Sequence, residues 1–142
     1  MVTIGINVDG IIDEVGDSGR LYAFFSTVAY RLEGTWGAKF PVVMRQLYEG
    51  RLPAALARQA LTELVEIRAA FEKLGPEALV WRFEEPEWAP PEDRHQTAAS
   101  PGNLADCFIA PSGRKFFDLM DEALEALLEA GRGDLKLEKI DC

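Results

Sequence analysis

Histidine and cysteine are nearly missing from this chain. Its 142 residues include one His and two Cys, and that scarcity removes several chemistries at once. There is no Cys/His pattern of the kind that binds zinc. Cys107 sits in an apolar run and Cys142 is the last residue, so the thiols offer no disulfide framework. One bridge between them stands as the alternative to two free thiols in a reducing compartment. Basic residues are also in deficit, 15 Lys and Arg against 24 Asp and Glu, for a net charge of −9. So acidic a chain is ill suited to bind nucleic acid or an anionic membrane directly, because both demand a basic face. It suits a basic partner, including a nuclease with a positive groove. No apolar run approaches the roughly 20 residues that span a bilayer. Met1 leads straight into a strand-like segment without a basic start and a cleavable apolar stretch. The expected location is the cytoplasm.

Catalytic motifs are equally thin. Gly16-Asp17-Ser18-Gly19 is too short and too acidic for a phosphate loop and lacks its lysine. Neither Ser26 nor Ser112 sits in a nucleophile elbow. Cys107 has no neighbouring charge to lower its pKa, so it reads as a small buried apolar residue. Asp9-Gly10 follows an apolar strand, as in phosphatases of the haloacid dehalogenase type. The nucleophile position two residues earlier, however, is Asn7, a poor phosphoryl acceptor. Asp9, Asp13, Glu14 and Asp17 lack the alternation of a calcium loop and read as a solvated turn. His95 stands alone in a polar, proline-rich loop. A small metabolic or phosphate-handling enzyme built on Asp9 and His95 is the alternative function. No metal and no cofactor is expected.

What is present is the material of one α+β domain over residues 1–142. Hydrophobic residues make up 48% and charged residues 27%, enough for a core without staples. Val2, Ile4, Ile6 and Val8 alternate with polar or small residues and predict a strand. Ile11, Ile12 and Val15 extend that strand or form a hairpin with it. Leu21, Phe24, Phe25, Val28 and Leu32 predict a helix over 20–33, ended by Gly34. Pro41 opens a second helix that stops at Gly50. Pro53 opens a third, with Leu56, Ala60, Leu61, Leu64, Ile67, Phe71 and Leu74 inward, closed by Gly75-Pro76. The charges of that third helix, Arg58, Glu63, Glu66, Arg68 and Glu72, read as its solvated face. Strands are expected at 78–84 and 104–110, then a helix over 114–130 and a last strand around Leu135 and Leu137. The expected architecture is a small mixed sheet of about four strands packed with about four helices. Its order is strand, three helices, two strands, helix, strand, and the crossovers favour some parallel pairing.

The stretch from Trp81 to Pro91 is the most distinctive. Leu79, Trp81 and Phe83 alternate with Val80, Arg82 and Glu84, and a stiff loop follows with Glu84, Glu85, Glu87, Trp88 and three prolines. Proline restricts the loop, so its acids and Trp88 are held outward as a contact surface for a basic partner. The competing reading is an acidic connection whose Trp88 folds back on the core. Trp36, between glycines, either plugs the core or stands out as a contact.

A family pattern runs through these elements. It consists of Phe24-Phe25-Ser26-Thr27-Val28-Ala29-Tyr30, Trp36-Gly37-Ala38-Lys39-Phe40-Pro41-Val42-Val43-Met44 and Leu47-Tyr48-Glu49-Gly50-Arg51-Leu52. Val80-Trp81, the Pro90-Pro91 loop and Ser112-Gly113-Arg114-Lys115-Phe116-Phe117-Asp118 continue it. Together and in this order these pieces resemble the immunity protein 70 family of bacterial polymorphic toxin systems, over nearly the whole chain. The motifs are structural rather than catalytic, and the loop 86–103 is longer and more acidic than the family pattern leads one to expect. The resemblance implies a cytoplasmic antidote, not an enzyme, that binds and neutralises a cognate toxin domain. It supplies no contact residue. Charge and aromatic content nominate Glu84, Glu85, Glu87, Trp88, Glu92, Asp93 and Trp36 as the partner-binding surface. A basic nuclease is the favoured toxin, a deaminase, ADP-ribosyltransferase or peptidase toxin also fits, and a homodimer through Trp36 or Trp88 is compatible with all of this.

Overall fold

The computed structural model describes residues 3–88, 102–110 and 112–140. Its sheet has four strands in the order β2-β1-β4-β3. β1 (Thr3–Val8) and β2 (Ile11–Asp17) form a hairpin. Asp9 and Gly10 link them at φ 54° and 87°, the paired left-handed conformation of a type I′ turn, which favours Asp-Gly. On β2 the register shifts between the pairs Gly5↔Glu14 and Ile4↔Gly16, and the extra residue, Val15, is buried in the core. β4 (Asp134–Ile140) lies antiparallel between β1 and β3 (Arg51–Pro53). Leu135 thereby pairs with Val8 on one side and Leu52 on the other.

Helix α1 (Ser18–Thr27) starts where the Asp17 carboxylate accepts the Arg20 N–H at 2.9 Å. It runs on as a π-helical stretch, Val28–Glu33, until Gly34 donates to the Ala29 carbonyl at 2.7 Å. A second π-helix, Val42–Leu47, follows the 34–40 loop. α2 (Ala57–Glu72) and α3 (Phe116–Ala130) pack on each other and are tied by Arg68 to Asp118 at 2.9 Å. The core centres on Phe24. Its ring meets Phe25, Phe71, Phe108, Phe116 and Phe117 at centroid distances of 4.6 to 6.0 Å.

The α+β class and the four-strand sheet agree with expectation, but the membership of the sheet does not. Every pairing is antiparallel, so the expected parallel crossovers are not formed. Residues 78–84 are not a strand. Both flanks of β4 are already filled, and Val80 finds its backbone partners on a side chain instead. The Thr27 hydroxyl accepts the Val80 N–H at 2.9 Å and sits 3.1 Å from the Val80 carbonyl. Arg31 Nε donates to the Ala78 carbonyl at 2.9 Å. Val80 and Trp81 are consecutive and both buried, unlike the one-sided burial that the alternation of 79–84 leads one to expect. Residues 104–110 are a 3-10 turn, Leu104–Cys107, with one isolated bridge from Ile109 to Lys115. The third helix begins at Ala57, because Arg51–Pro53 is spent on β3. Glu63 is a further correction. It is only 7% exposed, and its carboxylate accepts the N–H groups of Val42 and Val43 at 3.3 and 2.9 Å and the Gln59 amide at 3.0 Å. It caps the second π-helix rather than facing solvent.

Candidate functional site

The 34–40 loop is built around one carboxylate. Glu33 ends the first π-helix, and its Oε1 accepts the Gly37 N–H at 3.0 Å. Its Oε2 accepts those of Lys39 and Phe40 at 2.9 and 2.8 Å. Three backbone donors on one anion fix the loop without any regular structure. Trp36 is set at its crest. Its indole N–H donates to the Met44 carbonyl at 2.9 Å, and the ring is half-buried. It therefore packs on one side and leaves the other accessible. Two π-helices flank this loop, and single π-turns are rare and concentrate at functional sites.

Around Trp36 stand three more rings. Tyr48 meets it edge-on at 4.9 Å, Phe83 at 5.7 Å, and Tyr22 stacks at 6.2 Å. Tyr48 is 44% exposed. The Tyr22 hydroxyl donates to Glu84 Oε2 at 2.6 Å, which is the short distance of a charge-assisted bond. Burial, reinforced by that bond, pushes the Tyr22 phenol up from 10.0 to about 12. The same bond holds the Glu84 carboxyl below its ordinary value. Glu84 is thus an exposed, pre-oriented anion at the edge of an aromatic patch.

The chain beyond Glu84 folds into two successive turns, Glu85 N–H to the Arg82 carbonyl at 3.1 Å and Trp88 N–H to the Glu85 carbonyl at 3.0 Å. The Arg82 guanidinium lies 3.6 Å from the centre of the Trp88 ring and 3.6 Å from Glu85. Trp88 is half-buried against the core edge, so its inward reading holds in part, while Glu85 and Glu87 stay exposed. Glu92 and Asp93 lie outside the described residues. The structure therefore brings Trp36 and Glu84 into one patch, with Glu85, Glu87 and Trp88 on its continuation. Sequence reasoning missed Tyr22 and Tyr48. Tyr22 sits two positions before Phe24, off the apolar stripe of its helix, and that placement was the available signal.

The other singled-out residues serve the fold. Asp9 is used by the hairpin turn, Asp17 by the cap of α1, and Cys107 is half-buried, 3.8 Å from the Asn103 carbonyl. His95 and Cys142 lie outside the described residues. Among the described residues no group of His, Cys, Asp and Glu could hold a metal ion, and no helix is long and apolar enough to cross a membrane.

No curated protein and no solved structure matches this chain. A family model described as immunity protein 70 matches residues 6–136, from β1 through the aromatic patch to β4. The chain belongs to the immunity protein 70 family.

Proposed function

We propose that this protein protects its cell by binding a cognate toxin domain and covering the toxin's active-site cleft with the patch of Tyr22, Trp36, Tyr48 and Glu84. Glu85, Glu87 and Trp88 extend the contact, and Glu92 and Asp93 continue the acidic sequence beyond them. The observation that carries this reading is the Tyr22–Glu84 pair beside exposed Tyr48 and half-buried Trp36. It is a fixed anion framed by aromatics: Tyr and Trp are among the residues that dominate binding energy at interfaces, and the anion adds charge complementarity to a basic partner. Membership in a family of immunity proteins supports the antidote role. The net charge of −9 favours a basic partner and speeds its encounter. A nuclease has such a surface by necessity.

Co-expression with the toxin domain encoded beside it tests the reading through cell survival and a co-purified stoichiometric complex. The triple variant Glu84→Lys, Glu85→Lys, Glu87→Lys is expected to fold, since all three side chains are exposed, and to lose protection. Full protection by that variant would remove this surface as the interface. Absence of any complex with an active toxin would remove the pairing.

A further inference from the structure

β2 is an outermost strand of the sheet, and among the described residues one of its long sides faces no other strand. The hairpin fixes which groups point that way. Val8 and Ile11 flank the two-residue turn and exchange hydrogen bonds, and Ile12 and Glu14 occupy the alternate positions opposite Asn7 and Gly5. Their N–H and C=O groups are therefore turned away from β1. Among the described residues no backbone hydrogen bond reaches them from the open side. The opposite edge is different, because β3 is three residues long and contains Pro53, the usual means of blunting an edge.

The open edge also has a definite chemistry. Asp9, Asp13, Glu14 and Asp17 lie along it, and no Lys or Arg precedes Arg20. Ile11 and Ile12 are 71% and 51% exposed. A second copy of this chain is a poor occupant. Pairing β2 with itself in any register would bring two sets of Asp9, Asp13, Glu14 and Asp17 to one short seam, and like charges close across strands destabilise the pair. An extended segment bearing Lys or Arg gains both the ladder and the charge.

We propose that the toxin partner adds such a basic extended segment to the free edge of β2, as a fifth strand. The proposal rests on the reading of this chain as a toxin-binding immunity protein. Its test uses the cognate toxin domain and two variants. Ile12→Pro removes an outward-facing donor at an edge position where proline is tolerated, and Ile12→Thr keeps that donor. Ile12→Pro is expected to weaken binding by about tenfold or more, and Ile12→Thr by less than about threefold. In the complex of the unaltered chain, the Ile12 and Glu14 amides should exchange about a hundredfold more slowly than in the free chain. That measurement decides the matter if Ile12→Pro does not fold. Binding of folded Ile12→Pro at the parent affinity, or unchanged exchange at both amides, overturns strand addition and leaves the antidote reading intact. Protection of these amides without toxin, growing with chain concentration, also overturns it in favour of self-pairing. Failure of the unaltered chain to bind any active cognate toxin removes both readings together.

Discussion

At the scale of single residues, two carboxylates and a phenol do the organising. Glu63 gives its charge to the Val42 and Val43 N–H groups from a buried position. Glu63→Ala leaves both donors without a partner and is expected to cost about 3 kcal/mol in urea unfolding. Helical spacing sets Glu63, between Ala60 and Ile67, at the border of the apolar stripe and Glu66 farther from it, but it assigns a face and not a long-range partner. Tyr22 and Glu84 titrate as a pair. The raised Tyr22 pKa means that its contribution to stability is full below pH 10.0 and is lost as pH climbs through about 12. The depressed Glu84 pKa works in the other sense, present above its ordinary 4.5 and lost as pH falls through the lower folded value. Tyr22→Phe should abolish the alkaline slope and return the Glu84 carboxyl toward 4.5, read by NMR titration.

At the scale of elements, the helices were legible because apolar residues recur at helical spacing and are punctuated by Gly34, Gly50, Gly75 and Gly131. The strand at β3 was not, because three residues ending in proline carry no period. Segment 78–84 misled for a physical reason. Its alternation is genuine in sequence, but its backbone partners come from Thr27 on a distant helix, 53 positions away. Thr27→Val keeps the shape and removes those bonds. It should destabilise the fold by about 2 kcal/mol, speed amide exchange at Val80, and weaken toxin binding by loosening Glu84. The site was read in the same uneven way. Its acids were visible as a cluster, whereas Tyr22 and Tyr48 join it only through tertiary contacts, Tyr22 with Glu84 and Tyr48 with Trp36.

At the scale of the whole molecule, charge governs the encounter with a partner. A chain with net charge −9 that meets a basic toxin should associate fast at low ionic strength. Its association rate is expected to fall about tenfold or more between about 0.02 M and about 0.5 M salt, while dissociation changes little. Stopped-flow mixing with the cognate toxin measures both. A flat association rate would mean that contact is dominated by the aromatics alone.

The contact patch is braced from behind by residues that are not part of it. Glu33 holds the Trp36 loop, and Thr27 holds the segment leading to Glu84. The division separates inheritance from novelty. Under the proposed function, substitutions at the rim residues 84–88 would redirect the protein to a new toxin without touching the braces. A lineage in conflict with diversifying rivals can then exchange one specificity for another while its scaffold stays the same.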